Sequence, residues 1–112
     1  MTGFDPHRLA EERSLELHRR VAAEIARDGT IVSRAAERVA SWRVRGTLHG
    51  EYADLWMGLL RGPRGELQRV LVDESEAGRS LRQTSPFSFV VPPRERWRLW
   101  REVRERLASG ET

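Results

Sequence analysis

The chain has 112 residues with twenty basic side chains against seventeen acidic ones, a net charge of +3; every basic residue is Arg, and Lys, Asn and Cys are absent. That length suits one domain with one modest core, burying roughly two thirds of its unfolded surface, and leaves little room for a deep pocket of its own. Without Cys, no disulfide or thiolate metal site can form, and the small net charge is unlike the lopsided balance of many dedicated nucleic-acid binders. A GC-rich codon bias accounts for Arg in place of Lys, yet the choice has a physical consequence. Arg presents a planar fork of donors suited to carboxylates, phosphates and aromatic faces.

Residues 1–6 read as a frayed lead ending in the helix-start signal Asp5-Pro6. The stretch holds no apolar run of signal-peptide type, and no segment approaches the ~20 apolar residues of a membrane span, so a cytoplasmic protein is expected. From residue 7 to 27, Leu17, Val21 and Ile25, flanked by Ser14, His18 and Ala22, repeat at helical spacing. Asp28-Gly29 closes that helix and opens the next, with Thr30 as a competing cap. Over 30–44 the predicted apolar stripe is Val32, Ala35, Ala36, Val39 and Trp42, and Gly46 ends it. A third helix over 50–60 is predicted to turn Tyr52, Leu55, Trp56 and Leu59 inward. Gly62-Pro63 then breaks the chain ahead of a fourth helix with Leu67, Val70 and Leu71 inside. Asp73 or Ser75 caps a short fifth helix with Ala77 and Leu81 inward. An apolar loop over 84–92 runs into Pro92-Pro93, which opens a last helix ending near Ser109-Gly110. No strand pattern and no repeat is present. The expectation is an all-α, single-domain bundle of five or six helices over 7–109, with an apolar loop before the C-terminal helix.

The chemistry-bearing residues are sparse. His7, His18 and His49 lack metal-ligand spacing. His18, on the inner face of the first helix, reads as an interface histidine with one hydrogen bond. Ser14, Ser33, Ser85 and Ser88 sit in no nucleophile elbow. Gly62-Pro63-Arg64-Gly65 lacks the Lys and the preceding strand of a phosphate loop. No catalytic residue, metal ligand or cofactor is assigned.

Two segments are more telling. Arg13 to Arg19 reads RSLELHR; Leu81 to Phe87 reads LRQTSPF, followed by PRERW from Pro93 to Trp97. Together they resemble a family of small helical bacterial proteins that pair an RSLALHR-like first helix with an SPFAGVLTPEERW-like ending. The resemblance spans most of the chain on short motifs. It implies an antitoxin-like protein of a toxin–antitoxin system, whose protein partner is a toxin enzyme encoded by an adjacent gene, and it implies no catalytic residue. This chain departs from the pattern at Ser88-Phe89, where small residues are usual, and at Pro92.

The expected partner-binding residues are Pro86, Phe87 and Phe89 in the apolar loop, with Arg94, Arg98 and Arg101 on the last helix. The loop either plugs its own core or fills a partner's pocket. Arg98–Glu102 and Arg101–Glu105 are spaced as i,i+4 pairs, so a salt-bridged solvent face competes with a contact surface. The alternative function is a DNA-binding transcriptional regulator: residues 14–45 offer two helices across a short turn, the second bearing Arg34, Arg38, Arg43 and Arg45. Against it, the first helix is long for that motif and Glu37 interrupts the Arg face.

Overall fold

The computed structural model describes residues 5–110 and contains six α-helices and one 3-10 turn, with no strand among those residues. The helices are α1 (Pro6–Arg27), α2 (Thr30–Arg45), α3 (Gly50–Arg61), α4 (Arg64–Leu71), α5 (Glu76–Arg82) and α6 (Pro93–Ala108). The all-α bundle expected from the pattern is what forms. Of the expected frayed lead, residues 1–4 lie outside the described residues; Asp5 and Pro6 are instead part of an ordered helix start. The Asp5 carboxylate accepts from His7 N at 2.9 Å, and Pro6 occupies the first helical position.

Local chemistry sets the other boundaries. The Asp28 carboxylate accepts from both Thr30 N (3.0 Å) and Thr30 Oγ1 (2.7 Å), stopping α1 and fixing the first turn of α2. Gly46, at φ +72°, takes the left-handed conformation that ends α2, while Thr47 N reaches back to the Trp42 carbonyl at 2.9 Å. Ser75 caps α5 by accepting from Gly78 N at 3.3 Å, and Asp73 braces Ser75 in turn. Thr30 and Ser75 thus take different parts, one a donor to the cap and the other the cap itself.

Helix α1 is the spine. It packs along α6, α4 and α5, while α2 pairs with α3. The central core gathers Val21, Ile25, Ile31, Ala35, Val39, Ala53, Trp56, Leu60, Leu67, Leu71, Leu81 and Phe87. Leu15, Leu99, Val103 and Leu107 are also buried, the last three at i,i+4 spacing along the inner stripe of α6. Arg106 of α6 reaches Glu12 (3.1 Å) and Glu16 (3.4 Å) of α1, and Arg20 of α1 reaches Glu95 (2.9 Å) of α6.

Two inner faces are rotated by one residue from the expected stripes. On α2 the fully buried line is Ile31, Ala35 and Val39, leaving Val32, Ala36 and Trp42 half-buried. On α3 it is Ala53, Trp56 and Leu60, and Leu55 is 56 % exposed. Small Ala35 and Ala53 suit the close pairing of these helices, and the bulkier neighbours are displaced to its edges. On α5 it is Gly78, not Ala77, that faces inward, and a Cβ there would collide with the Asp73 carbonyl.

The three tryptophans outside the α1–α6 seam should separate in mutational cost. Trp56, fully buried, donates from Nε1 to Thr84 Oγ1 at 2.9 Å and meets Phe87 edge-on at 5.9 Å. Trp56→Ala is expected to cost about 3–5 kcal/mol, half-buried Trp42→Ala about 1 kcal/mol, and exposed Trp97→Ala under ~0.5 kcal/mol. Urea denaturation of the three variants checks this, and equal losses at positions 42 and 56 would contradict the placement of the α2 face.

Candidate functional site

The two motif segments meet in space. In α1, Ser14 and His18 are one turn apart, and the His18 ring bonds back along its own helix: Nδ1–H donates to the Ser14 carbonyl at 2.7 Å. A carbonyl only accepts, so this bond fixes the tautomer and leaves Nε2 as an acceptor. Ser85 Oγ–H donates to that Nε2 at 2.7 Å, and Ser85 Oγ accepts from Phe87 N at 3.2 Å. The chain of bonds therefore runs from α1 into the turn that starts the apolar loop. His18 is 2 % exposed. Burial lowers its pKa to about 4, with the Arg82 charge adding to the effect and the bond to the Ser14 carbonyl opposing it.

A Ser–His pair at this distance is also how a nucleophile is activated. Here the group orienting the imidazole is a neutral carbonyl, and an imidazolium would be buried beside the Arg82 cation. A base with a pKa near 4 draws little proton from a serine at neutral pH. In the fold the pair acts as a fastener, tying the start of the apolar loop to α1.

The fastener forms one wall of a cavity of about 360 Å³, lined by Ala10, Arg13, Ser14, Leu17 and His18 of α1, by Arg82, Gln83, Ser85 and Ser88, and by Trp100 of α6. Arg82 donates from Nη1 to the carbonyls of Leu71 (3.3 Å) and Asp73 (2.5 Å), capping the C-terminal end of α4. Arg13 lies over Trp100, its guanidinium carbon 5.8 Å from the ring centroid.

The expected partner-binding residues divide sharply. Pro86 and Phe87 are core residues, with Phe87 at 0 % exposure, so neither is an exposed anchor in the free chain. The loop plugs its own core because Trp56 and Leu81 belong to the apolar cluster that receives Phe87, while the α1 fastener holds the loop's start by hydrogen bonds. Phe89 is half-buried beneath arginines of α2: Arg34 stands 4.2 Å and Arg38 5.6 Å from its ring centroid. Arg96 fastens the far side of the loop, donating to the carbonyls of Ser88 (2.9 Å) and Val91 (3.1 Å).

Arg94, Arg98 and Arg101 are exposed, and no ion pair involves them among the described residues. The i,i+4 pairs to Glu102 and Glu105 do not form, consistent with how little an exposed pair gains. Between these arginines stands Trp97, 71 % exposed, on the same outward face at i+3 from Arg94 and i−4 from Arg101. Sequence patterning could not separate Trp97 from Trp100, since both are compatible with a buried position.

Of the candidate DNA-contacting residues, Arg34 and Arg38 are stacked on Phe89, Arg38 also faces Trp42 at 5.2 Å, and Arg43 is paired with Asp54. Among the described residues Arg45 bonds its own helix alone, at the Ser41 carbonyl. Among the described residues no group of three or more His, Asp or Glu is placed to hold a metal ion, and no helix is long and apolar enough to cross a membrane.

No protein-family profile matches the chain, and neither the curated proteins nor the solved structures yield a match.

The buried histidine predicts a pH dependence. The folded pKa lies below the ordinary value of 6.5, so the unfolded chain binds the extra proton first. The stabilisation is complete above about pH 6.5 and is lost as pH falls toward about 4, by roughly 3 kcal/mol over the window. His18→Ala should be less stable at pH 7 and should lose this slope. An unchanged slope in urea melts from pH 7 to 4 would show that His18 is not the titrating group.

Proposed function

We propose that the chain is a non-catalytic, antitoxin-like binding protein that docks on an acidic face of a partner protein, a cytoplasmic toxin enzyme encoded by an adjacent gene, and neutralises or regulates it. The observation that carries this reading is the outer face of α6. It sets a 71 % exposed Trp97 among Arg94, Arg98 and Arg101, which have no internal partner among the described residues. An exposed tryptophan gains from burial in a partner pocket, and Trp and Arg are the residue types that dominate interface energetics. Unengaged guanidiniums add orientation and faster encounter with an acidic surface at no cost in internal contacts. The weak basicity of His18 supports a non-catalytic role, and the resemblance of the 13–19 and 81–97 segments supports the class of partner.

The DNA-binding reading has weaker support. Arg34, Arg38 and Arg43 already have internal partners, so contact with phosphates would compete with the stacking on Phe89 and the pair with Asp54.

Co-expression with the product of the neighbouring gene, followed by size-exclusion chromatography, is the test. The wild-type pair should co-elute. Arg98→Glu combined with Arg101→Glu should slow association and make it less salt-sensitive; Trp97→Ala should weaken binding by about 2 kcal/mol, mainly through faster dissociation. Both variants should remain folded by circular dichroism. Separate elution of the wild-type proteins at micromolar concentration, or complexes indifferent to both variants, would overturn the reading. Binding to duplex DNA with a log–log salt slope near −0.9 per neutralised phosphate would favour the regulator instead.

A further inference from the structure

Arg82 is 5 % exposed, one of two buried polar side chains, with His18, among the described residues. No carboxylate lies within ion-pair distance of it among the described residues. Asp73, the acid whose charge acts on it most strongly, offers Arg82 a backbone carbonyl, and its carboxylate is turned to Ser75 N (3.0 Å) and Ser75 Oγ (2.7 Å). Glu11 and Glu74 also act on it, from beyond ion-pair distance, so the buried guanidinium has acidic neighbours but no paired carboxylate, an arrangement that an anion would complete. Arg13 lines the same cavity, and its charge is likewise without an ion pair among the described residues. Its Nε is buried without a partner, and its Nη2 makes one long bond, 3.4 Å, to the Trp100 carbonyl.

The rest of the lining is mixed. Leu17 and the Trp100 ring give an apolar wall, while Gln83 and Ser88 add polar groups at the edge. The Ser85 hydroxyl is engaged by His18 and Phe87, so it is not available to a ligand. The volume, about 360 Å³, falls at the small end of ligand sites. We infer that this cavity is a binding site for a small organic anion, a carboxylate or phosphate on a compact apolar body. Arg13 and Arg82 receive the charged group, and Leu17 and Trp100 the apolar part. Guanidiniums recognise either oxyanion through the same donor fork. The site shares no residue with the outer face of α6, so this inference and the docking reading stand or fall separately.

Calorimetric titration of the isolated full chain tests it, using phenyl phosphate, phenylacetate and the neutral benzyl alcohol as probes. At least one anion should bind saturably with Kd below about 1 mM, and the neutral probe should not. The stronger of the two anions identifies the charged group. Arg13→Gln should weaken that binding about tenfold, the loss of one charge-assisted hydrogen bond, with little change in thermal midpoint. Arg82→Gln is the poorer variant, because Arg82 also caps α4. Ligand-induced shifts of the Arg13 and Arg82 Nε–H resonances in the wild-type chain locate the site without any substitution. Absence of saturable binding by either anion up to about 10 mM, equal binding of the neutral probe, or shifts confined to other arginines would overturn the inference.

Discussion

An apolar segment without regular structure can be buried only if its backbone polar groups find partners, and that requirement governs this fold. The 84–92 loop carries Phe87 into the centre of the core, yet between α5 and α6 it has only a single 3-10 turn of its own. Its own turns meet part of that need, with Ser85 N bonded to Arg82 O and Val90 N to Phe87 O, and side chains add to it. Ser85 takes the Phe87 N–H and is held by His18 of α1; Thr84 accepts from Trp56 of α3; Arg96 of α6 takes the carbonyls of Ser88 and Val91. Three helices far apart in sequence are thereby locked to one loop. The placement of α6, and so of its outer face, follows from the loop being seated.

The arginine-only composition takes on structural meaning in this setting. Arg82 and Arg96 each bridge two carbonyls with one guanidinium nitrogen, and Arg34 and Arg38 lay flat cations over the ring of Phe89. A compact ammonium serves such a stacked site less well. Other arginines are tied across the α1–α6 seam, as Arg20 and Arg106 are. Arg94, Arg98 and Arg101 are left over from these duties. Their lack of ion pairs among the described residues, on one outward face around a tryptophan that the core does not use, is what supports the docking proposal.

Much of the fold was legible in the sequence because helix ends are decided locally. Asp28-Gly29, Gly46, Gly62-Pro63 and Pro92-Pro93 carry their turn chemistry within a few residues, and the boundaries fall there. Helix faces were less legible. On α2 and α3, adjacent apolar residues such as Ile31 and Val32, or Leu59 and Leu60, fit stripes one residue apart, and only the packing partner decides between them. The candidate site divided the same way. The segments around His18 and Ser85 stood out in the sequence, but not the bond between them, since 67 residues separate the two side chains. Pro86 and Phe87 looked as suited to a partner's pocket as to the core, because apolar character does not record which surface is supplied.

The bond between His18 and Ser85 is the direct tie between α1 and the start of the loop, and a double-mutant cycle measures it. Unfolding free energies of His18→Ala, Ser85→Ala and the double variant, taken in urea at pH 7, give the coupling between α1 and the loop. A buried hydrogen bond of this kind predicts a coupling of about 1–2 kcal/mol, with the double variant losing less than the two single losses combined. Additive losses, to within about 0.3 kcal/mol, would show that the two segments do not hold each other and that the loop is seated by apolar packing alone.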